Sequence, residues 1–314
     1  MNNRVIVVVG PTASGKTKLA VEIAKRYNGE IVSADSMQIY KYMDIGTAKP
    51  TEEEKQGIAH HLIGIVEPTE TFTLQDYLDR AKVCVDDILS RGKVPIIAGG
   101  TGLYVTSFID NISLSEAETD LEYREYLAKR AEKEGNEALL AELAEIDPET
   151  ADKLHPNNVK RIIRALELYH TSGKTVSEQN ALSRQSPSPY EFFETGLRFV
   201  DRKTLYGRIN RRVDEMFRAG LENEVSTLLE SGKLTRECNA FQAIGYKQFA
   251  PYFDGETDID EVAENIKRES RRYAKRQLTW LRRDENIRWV EADGFDIEHF
   301  FNNLSECIEE FLYV

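Results

Sequence analysis

The pattern of apolar and polar positions predicts alternating strands and helices in the first part of the chain. Short β-branched runs that end at glycine or a turn are typical of buried parallel strands, and they are separated by segments whose apolar residues recur at helical spacing. The predicted strands are 4–9, 30–34 and 94–98, and the predicted helices are 18–27 and 73–91. Strand–helix–strand units at this spacing predict a parallel sheet.

The character of the chain changes near residue 113. No strand pattern appears from there to about residue 193. Residues 120–146 predict two helices that break at Gly135, residues 157–171 predict another, and a Ser/Pro-rich loop follows at 183–190.

Strand character then returns, followed by long helices. The predicted elements of this last part are a strand, two long helices and a short strand, at 195–200, 202–231, 259–283 and 287–290. The simplest organisation is an α/β core formed by 1–114 and 195–314, interrupted by an all-helical insertion at 115–194.

Composition restricts the class of protein. The 314 residues are 41% hydrophobic and 30% charged, which allows a buried core and excludes a wholly disordered chain. No apolar run approaches the roughly 18–20 residues that cross a bilayer, so we expect no membrane association. Cys84, Cys238 and Cys307 are widely spaced and form no zinc pattern, as expected of a cytoplasmic protein.

A complete phosphate-binding pattern, G-x-x-x-x-G-K-[ST], lies between the first predicted strand and helix. It consists of Gly10, Pro11, Thr12, Ala13, Ser14, Gly15, Lys16 and Thr17. In such a loop, successive backbone N–H groups curl around phosphate oxygens and the helix N-terminus adds positive potential. Lys16 supplies a mobile positive charge, and the Thr17 hydroxyl can bind Mg²⁺. The pattern predicts a P-loop NTPase-like α/β core.

The position of the nearest carboxylate differs from that in hydrolytic P-loop proteins. Those proteins usually carry a magnesium-binding aspartate at the end of another apolar strand, whereas here strand 94–98 runs into the glycine-rich turn 99–102. Asp35 instead follows the second strand, where strand ends face the ligand crevice. Either Asp35 acts as a base or binds an acceptor, or it caps the turn after its strand. Thr101 likewise either contacts a phosphate oxygen or caps its turn.

The net charge of −13 is distributed unevenly. Segment 115–150 carries a net charge of −8, and segment 267–283 carries +7 with Tyr273 and Trp280 interleaved. Because charges are screened within about 10 Å at physiological salt, one face can still bind a polyanion. Positive charge with aromatic residues suits single-stranded nucleic acid, and the alternative is a surface helix that packs its aromatic residues inward.

Two smaller clusters carry weaker signals. Lys160, Arg161 and Arg164 lie on the predicted helix 157–171 and form either a solvated basic face or a contact to RNA. His60 and His61 are adjacent and have no further His or Cys nearby, so we expect no metal site there.

Seven motifs of the chain resemble those of the bacterial tRNA dimethylallyltransferase family. The motifs that carry the resemblance occur in the family's order and cover nearly the whole chain. They are GPTASGKT at 10–17, ADSMQIYKYMDIGTAKP at 34–50, HHLIGI at 60–65, GGTGLY at 99–104, RIIRALE at 161–167, AIGYKQ at 243–248 and YAKRQLTW at 273–280. The combination of DSMQ-x-Y with GTAKP is the most specific of these.

The resemblance implies a reaction and its partners. A dimethylallyl group would pass from dimethylallyl diphosphate to adenine N6 of the adenosine just 3′ of the anticodon (tRNA position 37), in tRNAs that read codons beginning with U. The P-loop would then hold a diphosphate leaving group with Mg²⁺, which accounts for the missing hydrolytic carboxylate. The helical insertion would grip the anticodon stem of the tRNA, and the enzyme would work as a cytoplasmic monomer.

The resemblance also implies roles for residues. Asp35 would accept a hydrogen bond from adenine N6 and act as general base, Thr101 and Arg208 would contact the diphosphate, and Arg124 would lie near the RNA. Arg276, from the basic segment, is expected at the RNA as well. The remaining positions expected to contact tRNA are Asp35, Ser36, Met37, Gln38, Lys160, Arg161, Ile162, Ile163, Arg164, Gln242, Ala243, Ile244, Gly245, Tyr246 and Lys247.

Two other classes of protein share part of this pattern. A P-loop nucleoside or metabolite kinase has the same loop and an acidic residue after the second strand, but it needs ATP and usually an arginine-bearing lid. An RNA-binding module with a vestigial P-loop is the non-enzymatic alternative, and the complete loop together with Asp35 counts against it.

Overall fold

A six-stranded, all-parallel sheet organises the larger part of the chain. The computed structural model describes residues 3–112, 120–183, 186–294 and 296–313. The strands are β1 (Arg4–Val9), β2 (Gly29–Ala34), β3 (His60–His61), β4 (Val94–Gly99), β5 (Glu191–Arg198) and β6 (Arg288–Glu291). Their order in the sheet is β3-β2-β4-β1-β5-β6.

Helices account for most of the remaining described residues. They are α1 (Lys16–Arg26), α2 (Glu52–Lys55), α3 (Leu74–Ser90), α4 (Gly102–Ile109), α5 (Leu121–Glu134), α6 (Asn136–Ile146), α7 (Pro148–Asp152), α8 (Val159–Ser172), α9 (Val176–Ser183), α10 (Arg202–Arg218), α11 (Leu221–Glu230), α12 (Ala250–Phe253), α13 (Ile259–Leu281) and α14 (Ile297–Tyr313). Two short 3₁₀ helices lie at Asn239–Gln242 and Lys247–Phe249.

The sheet is buried on both faces. In β1, alternate residues enter two different hydrophobic clusters, so that Val5, Val7 and Val9 pack on one face while Ile6 and Val8 pack on the other. This explains why the strand is a continuous apolar run rather than an alternating one. Because the strands are parallel, the loops after β1, β2 and β4 emerge at the same edge, where ligands of such sheets bind.

The chain divides into two compact units. The larger contains Met1–Ile109 and Pro189–Val314, and the smaller contains Asp110–Ser188. The described residues of the smaller unit form helices and turns around their own core, which includes Leu127, Leu139 and Leu166. β5 begins at Glu191 and pairs with β1 from its first residue, so the end of the predicted insertion, 191–194, belongs to the sheet.

Several predicted boundaries differ from those observed. The strand predicted at 195–200 is observed as β5, which begins at Glu191. The predicted start was too late because Glu191 and Glu194 interrupt the apolar pattern, although the Glu194 side chain is buried in the sheet. The helix predicted at 202–231 is two helices, α10 and α11, because Gly220 adopts a left-handed φ of 97° between them. The predicted break at Gly135 is confirmed. Thr73, the first residue of the helix predicted at 73–91, is the N-cap of α3 and forms a capping box with Asp76.

Candidate active site

A cationic cleft opens at the carboxyl edge of the sheet, with a cavity volume of about 520 Å³. It lies within the larger unit, and its walls come from the P-loop, the turn after β2, the loop at 46–48, α10, α13 and the segment 242–247. Three described acidic residues line it: Asp35, Glu54 and Glu215. Seven described cationic residues line it: Lys16, Lys18, Arg208, Arg211, Arg212, Lys247 and Arg276. Because positive charge is in excess, the cleft suits an anionic ligand.

The P-loop has the geometry of a phosphate cradle. Gly15 takes a left-handed φ of 95° and begins α1, and no side chain caps the first N–H groups of that helix. These N–H groups and the positive end of the helix dipole favour an anion at this position. The Ser14 hydroxyl is buried and has no hydrogen-bond partner among the described residues. A phosphate oxygen would provide the missing partner.

Gln277 ties the P-loop to the glycine turn after β4. Its Oε1 accepts from the backbone N–H of Thr12 at 2.8 Å, and its Nε2 donates to the carbonyl of Gly100 at 2.9 Å. A Cβ at residue 100 would collide with Nε2, so glycine is required there for this close approach. The sequence analysis missed Gln277, whose only local signal is an amide on the buried face of α13.

Two arginines of α10, Arg208 and Arg212, lie against the P-loop. Arg208 Nε donates to the carbonyl of Ala13 at 2.8 Å. Arg212 Nη1 and Nη2 lie 3.4 Å from Thr12 Oγ1 and the Ala48 carbonyl, respectively. Burial lowers the pKa of both side chains, and neither forms an ion pair within the described residues, so both are placed to meet an anion. The sequence analysis missed Arg212, although it lies four residues after Arg208 on the same helical face.

Lys16 is a third cation beside the P-loop carbonyl groups. Its Nζ lies 3.5 Å from the Pro11 carbonyl. Burial lowers the pKa of Lys16 to about 8, opposed by the negative charge of Asp35 and assisted by the positive charge of Arg212. A bound anion would reverse this shift, because a nearby opposite charge favours the ammonium form.

Asp35 caps the turn after β2 and also keeps one oxygen free of hydrogen bonds to the described residues. Its Oδ1 caps the turn after β2 by accepting from the backbone N–H groups of Met37 at 2.9 Å and Gln38 at 3.2 Å. Its Oδ2 has no hydrogen-bond partner among the described residues, and the side chain lines the cleft. One carboxylate oxygen therefore shapes the turn while the other remains available to a ligand.

Thr101 lies beneath this turn. Its Oγ1 accepts from the backbone N–H of Ser36 at 3.0 Å and donates to Ser36 Oγ at 3.3 Å. Thr101 therefore links the ends of β2 and β4 beside the cleft. Burial, together with the charge of nearby Asp35, raises the pKa of Tyr273 to about 12.

The segment 242–247 is divided between the cleft and the core. Gln242, Ala243, Ile244 and Lys247 line the cleft, as do Ser36, Met37 and Gln38 from another stretch that the resemblance predicts to contact tRNA. Tyr246 is fully buried, and Gly245 is buried beside it with a positive φ. The Arg276 guanidinium lies 5.7 Å from the centroid of the Tyr273 ring at the cleft wall.

The predicted RNA contacts of the smaller unit also separate by helical face. Ile162 and Ile163 are buried in its core, whereas Lys160 and Arg161 are exposed. Arg124 and Arg164 both pair with the carboxylate of fully buried Glu167, which was not among the residues predicted to contact RNA. Arg124 Nε lies 2.8 Å from Oε1, and Arg164 Nη1 lies 2.6 Å from Oε2.

The same carboxylate remains ionised although it is buried. Burial raises the pKa of Glu167, but hydrogen bonds from Arg124, Arg164 and the Asp120 backbone outweigh burial and hold the pKa below its usual range. The charge of Glu167 therefore fixes two of the predicted RNA-contacting arginines in place.

The basic segment 267–283 is partly neutralised within the protein. Lys267 pairs with Asp214 at 2.8 Å, and Arg272 pairs with Glu269 at 2.7 Å. Arg283 lies over the Trp280 ring at 5.6 Å. The cationic character that reaches the cleft from this segment is therefore that of Arg276.

Comparison with known proteins gives one consistent result. The model of the family described as IPP transferase matches residues 38–284. The chain is 51% identical over 310 residues to a tRNA dimethylallyltransferase of Acetivibrio thermocellus, with 98% of each chain covered. It is 46% identical over 298 residues to one of Halalkalibacterium halodurans, with 95% of this chain and 94% of that one covered.

Two solved structures are similar over almost the whole chain. One is the full-length tRNA isopentenylpyrophosphate transferase from Bacillus halodurans, with a TM-score of 0.73, 43% identity and coverage of 99% of this chain and 98% of that one. The other is a eukaryotic dimethylallyltransferase acting on tRNA, with a TM-score of 0.79, 29% identity and coverage of 98% and 78%. Among the described residues, the helices are too short or too polar to cross a membrane.

Proposed function

Because the chain belongs to the IPP transferase family, we propose that it transfers a dimethylallyl group from dimethylallyl diphosphate to N6 of an adenosine in tRNA. The observation that carries this proposal is the cleft, which joins a cationic P-loop to the available Oδ2 of Asp35. The loop suits the diphosphate, and the carboxylate suits the amine that attacks. By the resemblance of the sequence, the acceptor is the adenosine at tRNA position 37 in tRNAs that read codons beginning with U.

The proposed reaction requires a proton acceptor on one side and charge stabilisation on the other. The exocyclic amine is a poor nucleophile because its lone pair is delocalised into the ring, and Asp35 Oδ2 accepts its proton as the N6–carbon bond forms. The carbon–oxygen bond to diphosphate breaks, and the diphosphate leaves with both electrons. Lys16, Arg208 and the P-loop N–H groups stabilise the charge that develops on it. Closing the cleft around RNA excludes water, which would otherwise capture the allylic carbon.

The cleft residues also fit Mg²⁺. Thr17 lines the cleft at the start of α1, and its hydroxyl oxygen is of the hard oxygen type that this ion prefers. Within the described residues no group of three or more His, Cys, Asp and Glu is placed to hold a metal, as suits an ion that binds mainly to substrate phosphates and water. Thr17 is the residue we assign to it. When bound, the ion neutralises charge on the leaving diphosphate.

The smaller unit supplies the proposed grip on the anticodon stem. Its exposed Lys160 and Arg161, and the ordered pair Arg124 and Arg164, provide positive charge to neutralise RNA phosphates. We further propose that the enzyme acts as a monomer. A tRNA substrate is consistent with a cytoplasmic enzyme.

The decisive experiment is transfer of label. Purified protein is incubated with anticodon stem-loop RNA, Mg²⁺ and radiolabelled dimethylallyl diphosphate, and a parallel reaction contains labelled ATP instead. We expect label in the RNA only from the prenyl donor. Label transferred from ATP would support a kinase, and RNA binding without transfer from either donor would support a non-enzymatic RNA-binding module.

We expect RNA binding to depend on local positive charge despite the net charge of −13. Replacing Arg161 or Arg276, each separately, by Gln should lower the slope of log affinity against log salt by about 0.7–0.9 for each phosphate that the side chain neutralises. The measurement is binding to an anticodon stem-loop over a salt series. Arg236 is a suitable control, because it is exposed and forms a two-fold ion pair with Asp254, and Arg236→Gln should leave the slope unchanged. Unchanged slope and affinity in both test variants would instead assign these arginines to the protein's own packing.

A further inference from the structure

Glu224 on α11 makes an unusual set of contacts just outside the cleft. Its Oε2 accepts from the backbone N–H groups of Asp44 at 2.9 Å and Ile45 at 2.8 Å. Its Oε1 accepts from the backbone N–H of Gly46 at 3.0 Å and from the hydroxyl of Tyr246 at 2.6 Å. One carboxylate therefore satisfies three successive backbone donors and a buried phenol, a task that requires acceptors on both oxygens.

The Tyr246 ring fixes the same loop by packing. The ring is fully buried against Gly46, where an added Cβ would lie only 2.5 Å from a ring carbon. The loop 44–48 is thus held by hydrogen bonds from Glu224 and by contact with Tyr246. Neither side chain lines the cleft, whereas Gly46, Thr47 and Ala48 do.

The carbonyl groups of this loop orient two side chains that line the cleft. Gln38 Nε2 donates to the Thr47 carbonyl at 3.3 Å and to the Ala48 carbonyl at 3.0 Å. Arg212 Nη2 lies 3.4 Å from the Ala48 carbonyl. Gln38 and Arg212 both line the cleft, so the position of the loop sets the position of an amide and of a buried guanidinium.

We propose that Glu224 is a positioning residue for both substrates, acting through the loop 44–48 on Arg212 and Gln38. This rests on the proposed function and extends it: Arg212, which lies beside Thr12 of the P-loop, would face the diphosphate, and Gln38, close to Asp35 in the chain, would face the RNA. An amide at residue 224 keeps the shape of the side chain but has only one oxygen, and its NH₂ would face backbone N–H groups. The loop would shift, and the two cleft side chains would shift with it.

The same helix offers a matched control. Glu222 accepts from the Tyr252 hydroxyl at 2.7 Å, in an exposed pair away from the cleft. The test compares Glu224→Gln and Tyr246→Phe with Glu222→Gln and Tyr252→Phe. Five quantities are measured for each variant: the Kd for inorganic diphosphate with Mg²⁺, the KM for dimethylallyl diphosphate, the KM for RNA, kcat and the thermal midpoint.

We expect Glu224→Gln to weaken inorganic diphosphate binding and raise the RNA KM by about tenfold each, as for the loss of a hydrogen bond to a charged group. Tyr246→Phe should have a smaller effect in the same direction, and both controls should stay within about twofold of the wild type. Unchanged Kd and KM values with a lowered thermal midpoint and kcat would reduce Glu224 to a structural role and overturn the proposal. The diphosphate measurement requires no transfer to RNA, so it distinguishes failure of this proposal from failure of the proposed function.

Discussion

Asp35→Asn should slow the chemical step by about 10²–10⁴-fold while RNA binding survives. The asparagine can keep its Oδ1 as the acceptor for the backbone N–H groups of Met37 and Gln38, so the turn after β2 is retained. Only the oxygen that faces the cleft is replaced, by an NH₂ group that cannot take a proton. The substitution therefore separates the role of Asp35 in the turn from its proposed role as base.

The measurement is single-turnover transfer from saturating dimethylallyl diphosphate to bound RNA, with RNA affinity determined in parallel. Glu215→Gln serves as a control, because Glu215 is another carboxylate that lines the cleft; it should change the rate by no more than a few-fold. Asp35→Ala removes both oxygens and should lose as much rate as the asparagine variant, with some loss of RNA affinity. Near-wild-type turnover by Asp35→Ala would exclude the general-base role.

Lys16→Ala should lower kcat/KM for dimethylallyl diphosphate by about 10²–10³-fold, the size of effect seen when one preorganised donor to a developing anion is removed. Thr17→Ala should act on the same substrate, and its defect should depend on the Mg²⁺ concentration. Titrations of dimethylallyl diphosphate at several Mg²⁺ concentrations measure both effects. Unchanged kinetic constants in both variants would place the diphosphate elsewhere.

The pH dependence of binding provides a second measure of Lys16. Burial lowers the pKa of Lys16 to about 8 in the free protein, so its ammonium is present below that pH and is lost as the pH rises through it. The affinity for inorganic diphosphate should therefore decline as the pH rises above about 8. Lys16→Ala should lack this decline, and an identical profile in both proteins would remove Lys16 from the phosphate site.

The central strands and the P-loop were predictable because their signals are local. β1 and β4 are buried on both faces and contain nearly continuous apolar runs, and β2 carries the β-branched pair Ile31 and Val32. The P-loop lies between a strand and a helix, as its pattern requires. β3 has only two residues and no pattern to detect. The break between α10 and α11 depends on the left-handed backbone of Gly220, which a helical pattern tolerates without revealing.

The candidate site was predictable in its centre but not in its supports. Lys16, Asp35 and Arg208 all line the cleft. Gln277 and Glu224 act on loops more than 170 residues away along the chain, and local spacing carries no record of such contacts. Conversely, a contiguous stretch on a helix or turn cannot place every residue on one surface, which is why Ile162 and Tyr246 are buried.

The position of β1 in the sheet has a consequence for biosynthesis. β1 leaves the ribosome before either of its two neighbours in the sheet, β4 (Val94–Gly99) and β5 (Glu191–Arg198). Until β5 has emerged, one edge of this strand, whose residues 5–9 are all apolar, has no hydrogen-bonding partner, and such edges template aggregation. Pairings between distant segments also form slowly. The helices of Asp110–Ser188 contact mainly one another, so they can fold before the sheet is complete. A nascent chain that stalls before residue 191 is therefore the species that most needs a chaperone.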